Sequence, residues 1–421
     1  MREFTKNFFS FSWALSLFGA RQLGNLLQGS ADAVKAFDSV TGAVVDQFGR
    51  NLRQTFEAGD KLQGEMVDRI FGFLGERPAA APGGTAPGAA RGTAAVALPP
   101  LAGSVGYSPS FRPAPPAVPF KAEPPACAVT ADPRDSKFVE VHGSRMHYVD
   151  TGHGEPILFL HGNPVWSYIW AGVLPHVSPT ARCIALDLIG MGLSDKPPIQ
   201  YTYLDHVKYV EGFIAKLGLE SFTLVLHDWG CAIGFYVAMG QEKNVRGLAF
   251  MEAMLAPYAS WSTCPKMIVP EVQAFRNPAL GTTLVIADDQ FIDKVLPANT
   301  SVPFTQEQIN CFRMPFLDPS SRQVILSFVQ QIPIAGDPAE VAEAAGRYAE
   351  WLKKTRLPKL FLWTQPGLLN SEQDVEWAQR NLKNLKTAFL GQGIHFHQQE
   401  HPVEVGQEIA RWHAGICRPQ G

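Results

Sequence analysis

"LVLHDWGCAIG" (residues 224–234) decides how the chain is read. A run of apolar residues ends abruptly at His227-Asp228-Trp229-Gly230, and a helix of small residues follows. A short apolar run bounded by a turn reads as a buried strand. A strand-to-helix corner exposes one side chain at the top of a sheet, beside the free N–H groups of the helix. Gly230 lets the backbone fold tightly, whereas Leu226 departs from the small residue of G-x-S-x-G. Many hydrolases carry serine at such a corner; here the residue is Asp228. Two readings stand open, a helix N-cap, at which Asp is common, and a carboxylate nucleophile.

The surroundings give the fold class. "PILFLHG" (156–162), "RCIALDLIG" (182–190), "FTLVLHD" (222–228) and "VRGLAFMEA" (245–253) are short apolar runs, expected to be parallel strands buried on both faces. "KFVEVHGSRMHYVD" (137–150) reads as a hairpin turning at Gly143, and "YLDHVKYVEGFIAKLGL" (203–219) as a helix. The alternation stops near 256 and resumes with "KLFLWTQPG" (359–367), a helix around 371–384, "KTAFLGQG" (386–393) and a closing helix near 403–416. An α/β domain is therefore expected over 134–421, a mostly parallel sheet flanked by helices. The insertion at 256–350 is expected to be a helical cap at the ligand-binding end of the sheet.

Two further zones precede that domain. Residues 1–77 contain no proline or cysteine and place Phe37, Val40, Val44, Phe48, Leu52 and Phe56 on one helical face. They are expected to be helical and amphipathic, self-associating, docking on the main domain or binding an apolar surface. Residues 78–133, with twelve prolines between Pro78 and Pro125 among Ala and Gly, have the composition of a disordered linker. A net charge of −3 gives the chain no electrostatic reason to seek nucleic acid. The apolar stretch at 8–20 is too short to span a membrane, and Glu3 and Phe18 argue against a secretory signal. The six cysteines are scattered without a C-x-x-C pair, so reduced thiols in a cytoplasmic protein are expected.

Two more motifs bear on the corner. "HGNP" (161–164) follows an apolar strand, where such sheets place an oxyanion-hole loop. Asn163 offers a backbone N–H and an amide donor, although Asn-Pro also makes a plain turn. "GQGIHFHQQEHP" (391–402) follows the last strand, and His395 is the candidate base. His397 and His401 lie close by, but no carboxylate or cysteine cluster completes a metal site, and no cofactor is expected.

With "HGNPVWSYIW", "ARCIALDLIGMGLSDKP", "DHVKYVEGFIAKLGL", "HDWGCAIGF", "AFMEAMLAP" and "GQGIHFHQQEHP" in colinear order, the chain resembles the haloalkane dehalogenases of the α/β-hydrolase superfamily, in particular their second subfamily. The resemblance covers about 135–416. It implies Asp228 as nucleophile, His395 as base and Glu252 as the acid that orients the base. It also implies Asn163 and Trp229 as the pair that holds the leaving halide. The substrate would be a small halogenated hydrocarbon, with water as second reactant. The chemistry agrees with the residue types. A saturated carbon has no carbonyl to attack, and displacing halide needs a nucleophile already ionised at neutral pH, which a carboxylate is and a serine is not. Glu252 has a plainer reading as a loop glutamate at the surface. "TQPGLLN" (364–370), where related hydrolases often carry the acid, contains no Asp or Glu.

Three alternatives accompany this reading. Epoxide hydrolases share the Asp corner but use two cap tyrosines, and between 256 and 350 only Tyr258 and Tyr348 occur, both at the edges. A coelenterazine-type luciferase resembles the same subfamily, with alanine where Pro164 stands here. A surface-binding protein would act through residues 1–77. In the cap, Trp261, Phe275, Phe291, Phe304, Phe312, Phe316 and Phe328 are expected to be mostly cap core, with some lining a pocket.

Overall fold

A computed structural model describes residues 127–417. The expected helical segment 1–77 and nearly all of the expected linker 78–133 lie outside the described residues. The first strands are β1 (Ser136–Val141) and β2 (Ser144–Thr151), an antiparallel hairpin. Its turn uses His142 and Gly143, both at positive φ. The apolar runs become β3 (Pro156–Leu160), β4 (Arg182–Leu186), β5 (Phe222–His227) and β6 (Val245–Met251), followed by β7 (Lys359–Pro366) and β8 (Leu385–Gly393). The eight strands form one sheet in the order β1-β2-β4-β3-β5-β6-β7-β8. From β4 onward every neighbouring pair is parallel.

Burial explains the near-continuous apolar runs. Every residue of β5 is buried, and β3, β4 and β6 each expose at most their first or second residue partially. Helices cover both faces, as parallel sheets require. Among them are α1 (Tyr203–Lys216) and α2 (Trp229–Gly240), with α6 (Ala339–Lys354), α7 (Glu372–Asn381) and α8 (Pro402–Cys417) packed later in the chain. Helix α1 starts on a capping box in which Thr202 and Asp205 bond reciprocally to each other's backbone N–H.

The cap contains α3 (Val269–Arg276), α4 (Gln306–Arg313) and α5 (Gln323–Gln330), with shorter helical segments between them, such as Thr282–Ala287 and Phe291–Val295. Helix α5 fixes it to the sheet domain. Ser327 Oγ donates to Tyr201 O at 2.8 Å, and Gln331 Oε1 accepts from Tyr203 N at 2.6 Å, at the start of α1.

One expectation is corrected. Cys127 and Cys311 form a disulfide across a sequence separation of 184, so reduced thiols do not describe all six cysteines. Cys311 sits in α4, and the bond ties the segment before β1 to the cap. Cys183, Cys231, Cys264 and Cys417 remain free. Among the described residues, no helix is long and apolar enough to cross a membrane.

Candidate active site

The corner is built as the sequence implies, with one difference. The left-handed backbone falls on Asp228 itself, at φ 51°, while Gly230 serves close approach. A Cβ on Gly230 would lie 2.4 Å from Leu160 O and 2.7 Å from His161 O, so only glycine lets α2 start this near β3. Asp228 makes no side-chain cap bond to α2, which removes the N-cap reading. A non-glycine residue at positive φ costs on the order of 1–3 kcal/mol and persists where the surroundings enforce it, commonly at functional sites. Glu252, at φ 48°, is a second such residue, one position past the end of β6.

Strand order brings the candidates together. Strand β5 lies between β3 and β6, so the segments carrying Asn163, Asp228 and Glu252 emerge side by side at the same sheet edge. Asn163 N donates to Asp228 Oδ2 at 2.9 Å. Gly162 lies against the same carboxylate, where an added Cβ would be 2.3 Å from Oδ2. His395, two residues past β8, places Nδ1 3.0 Å from Glu252 Oε2. The same oxygen accepts from Leu368 N at 3.0 Å and Leu369 N at 2.7 Å. Glu252 is 1% exposed, so the surface-loop reading does not hold.

The electrostatics follow from burial. Burial pushes the Asp228 carboxyl above its ordinary value, opposed by the charge of His395 and the backbone N–H groups of Asn163 and Trp229. Glu252 is raised for the same first reason, opposed by its bond to His395. Burial alone would lower His395; its bond to Glu252 and the charges of Asp228 and Glu252 outweigh this and raise it. A neutral imidazole that donates Nδ1–H to Glu252 presents Nε2 as an acceptor, the state a general base requires.

One cavity opens onto these groups. Asn163, Asp228, Trp229 and His395 line it, together with Pro164, Phe291, Leu296, Leu369, Phe396 and other apolar residues, and no tyrosine. Its space is about 90 Å³. That is room for more than a single water-sized group. The Trp229 ring packs on Phe328 at 5.1 Å between centroids, and Phe328 stacks on His206 at 4.3 Å. Burial depresses His206 to about 3, so it serves this stack as a neutral ring. Asn163 Nδ2 donates to Ile325 O of α5 at 3.2 Å, which leaves its second hydrogen without a partner among the described residues.

The other candidates lie apart from the cavity. Tyr348 Oη donates to Met254 O, and neither it nor Tyr258 lines the cavity. Of the seven cap aromatics only Phe291 lines it. His397 bonds Thr364 Oγ1 at 2.8 Å, and His401 Nε2 donates to Gln392 O at 2.8 Å. Asn370 pairs with both backbone groups of Ala253, and Asp374 caps α7. Among the described residues no group of three or more His, Cys, Asp or Glu is placed to hold a metal ion. His227, at the end of β5, donates Nε2–H to His395 O at 3.0 Å and fixes the loop that carries His395 to β5. A buried histidine beside the corner was the available signal.

The chain matches the α/β-hydrolase fold family over residues 155–307. It is 38% identical over 297 residues to a haloalkane dehalogenase of Mesorhizobium japonicum, covering 69% of this chain and 94% of the relative. It is 41% identical over 282 residues to a haloalkane dehalogenase of Sphingobium indicum, covering 66% and 94%. Among solved structures, the haloalkane dehalogenase DbeA of Bradyrhizobium elkani is 37% identical, with TM-score 0.65, covering 67% of this chain and 98% of that one.

Proposed function

Because the chain belongs to the haloalkane dehalogenase family and is a hydrolase acting on carbon–halide bonds, we propose that it displaces halide through a covalent alkyl ester on Asp228. An Asp228 oxygen attacks the halogen-bearing carbon, the carbon–halogen bond breaks, and halide leaves with the electron pair. The departing anion meets the indole N–H of Trp229 and the free amide hydrogen of Asn163, donors in a site that excludes bulk water. Water then adds to the ester carbonyl of Asp228. His395 Nε2 takes its proton, Glu252 holds the imidazole's tautomer and stabilises its charge, and the tetrahedral intermediate collapses to alcohol and the free carboxylate.

One observation carries this reading: Asp228, Trp229, Asn163 and His395 face one narrow apolar cavity that contains no tyrosine. The missing tyrosines weigh against epoxide opening, which needs acids to protonate the epoxide oxygen.

Alkylation also changes the base. Converting the Asp228 carboxylate to an ester removes one of the charges that raise His395. The imidazole thus loses proton affinity, and is released to act as base, in the step where a base is needed. The test is halide release from bromo- and iodoalkanes by the wild type, Asp228→Asn and His395→Phe. Wild type releases halide, Asp228→Asn falls to background, and His395→Phe accumulates a mass increment equal to the alkyl group on the Asp228 peptide. An unmodified His395→Phe protein after long incubation, beside an active wild type, would remove the covalent step.

A further inference from the structure

The cavity carries two polar residues that the displacement chemistry does not use. Glu271, in the first turn of α3, and Asn299, in the cap segment beyond Phe291, both line it among apolar neighbours. Asn299 Nδ2 donates to Val295 O at 2.8 Å, which leaves its second hydrogen and Oδ1 without a partner among the described residues. Glu271 forms no ion pair with any described residue, and no lysine or arginine lines the cavity. Glu271 is therefore an acid without a cationic partner among the described residues, beside the amide of Asn299, in a cavity whose lining includes no cation.

A first-turn glutamate is favoured by the helix dipole, which accounts for an acid at this point of α3. It does not account for the face, because the same turn offers solvent-exposed positions such as Pro270 and Gln273. Burial raises the carboxyl of Glu271 above its ordinary value, opposed by a hydrogen bond from its own backbone N–H but by no nearby cation. A half-buried, uncompensated carboxylate in apolar surroundings is relieved by a cation with N–H donors.

We propose that Glu271, assisted by Asn299, is a specificity-determining residue that selects haloalkanes carrying an ammonium group at the end remote from the halogen. The proposal rests on the displacement reading above, which places the halogen at Trp229 and Asn163. The substrate chain would then run through the apolar part of the cavity, with its cationic end at α3. A six-carbon chain with bromine and nitrogen at its ends is the probe.

The full chain is assayed at neutral pH with 1-bromohexane, 6-bromohexan-1-ammonium and 6-bromohexanoate, in wild type, Glu271→Gln and Glu271→Asp. A hydrogen bond to a charged group predicts a wild-type kcat/KM ratio of ammonium to carboxylate substrate of roughly 10- to 100-fold. That ratio should collapse toward unity in Glu271→Gln and persist in Glu271→Asp. A wild-type ratio near unity, or one unchanged by Glu271→Gln, overturns the proposal. Should Glu271→Gln fail to fold, inhibition of wild-type 1-bromohexane turnover decides, with hexylammonium expected to inhibit more strongly than hexanoate and equal inhibition counting against Glu271. Failure of the wild type to release bromide from 1-bromohexane would instead sink the displacement reading itself.

Discussion

Three single residues test the corner most sharply. Gly162 carries no functional group, yet a Cβ there would lie 2.3 Å from the nucleophile's Oδ2. Gly162→Ala should therefore cut halide release strongly while circular dichroism stays native, because the carboxylate must swing out of line. Full activity in that variant would mean that Asp228 is free to reorient. Trp229→Phe keeps the ring on Phe328 but deletes the indole N–H. Loss of one donor to developing charge predicts a fall in kcat of roughly 10²–10³-fold, and a change confined to KM would remove the halide-holding role. The third residue is Glu252, whose bond is the largest influence raising His395 against the downward effect of burial. The base must be neutral, so ester hydrolysis is lost as pH falls through the pKa of His395. Glu252→Gln lowers that pKa, and the acid limb of alkyl-enzyme decay, followed by quenched-flow mass spectrometry, should move to lower pH. An unmoved limb would place the titration on another group.

At the scale of elements, what the sequence discloses depends on whether side chains or backbone do the work. The strands were legible because β3 to β6 are buried on both faces and leave continuous apolar runs, and the candidates Asn163, Asp228 and Glu252 follow the ends of β3, β5 and β6. Glu252, implied as the acid by the family resemblance, stands one residue past β6. Partners supplied by main chain left no trace, such as the N–H groups of Leu368 and Leu369 on Glu252 or the carbonyl of Ile325 on Asn163. The cap aromatics were named without the sequence saying which faced inward, because α3 to α5 present several faces to one another, and Phe328 turned out to act through Trp229. Cap attachment shows the same limit. Gln331 lies just past α5, and its side chain accepts from Tyr203 N and donates to Tyr201 O. Gln331→Ala would leave a half-buried N–H at the start of α1 unpaired, at a cost of about 1–3 kcal/mol. The expected result is a lower denaturation midpoint together with a raised KM, since α5 also holds Asn163. A variant with unchanged stability and KM would show that the cap is held elsewhere.

At the scale of the whole molecule, one disulfide cross-links distant parts of the described chain. Every residue assigned to the chemistry lies between Asn163 and His395, whereas the Cys127–Cys311 bond ties the cap to a residue that precedes β1. Separation of 184 in sequence and the lack of any paired spacing made this bond invisible to motif reading. A cross-link closing so long a loop restricts the unfolded chain more than the folded one, typically contributing about 2–4 kcal/mol. Removing residues 1–133 deletes Cys127 and none of the site. The truncated protein should therefore retain halide release at ambient temperature but unfold roughly 5 °C lower. Cys311→Ser in the full chain should reproduce that drop, and combining it with the truncation should add nothing further. Alkylation before and after reduction reports the bond directly, since Cys127 and Cys311 should be labelled only in the reduced sample. If truncation abolishes turnover in a domain that remains folded, residues 1–133 take part in catalysis. If Cys311→Ser leaves the midpoint unchanged while the truncation lowers it, the stabilisation passes through contacts other than the disulfide.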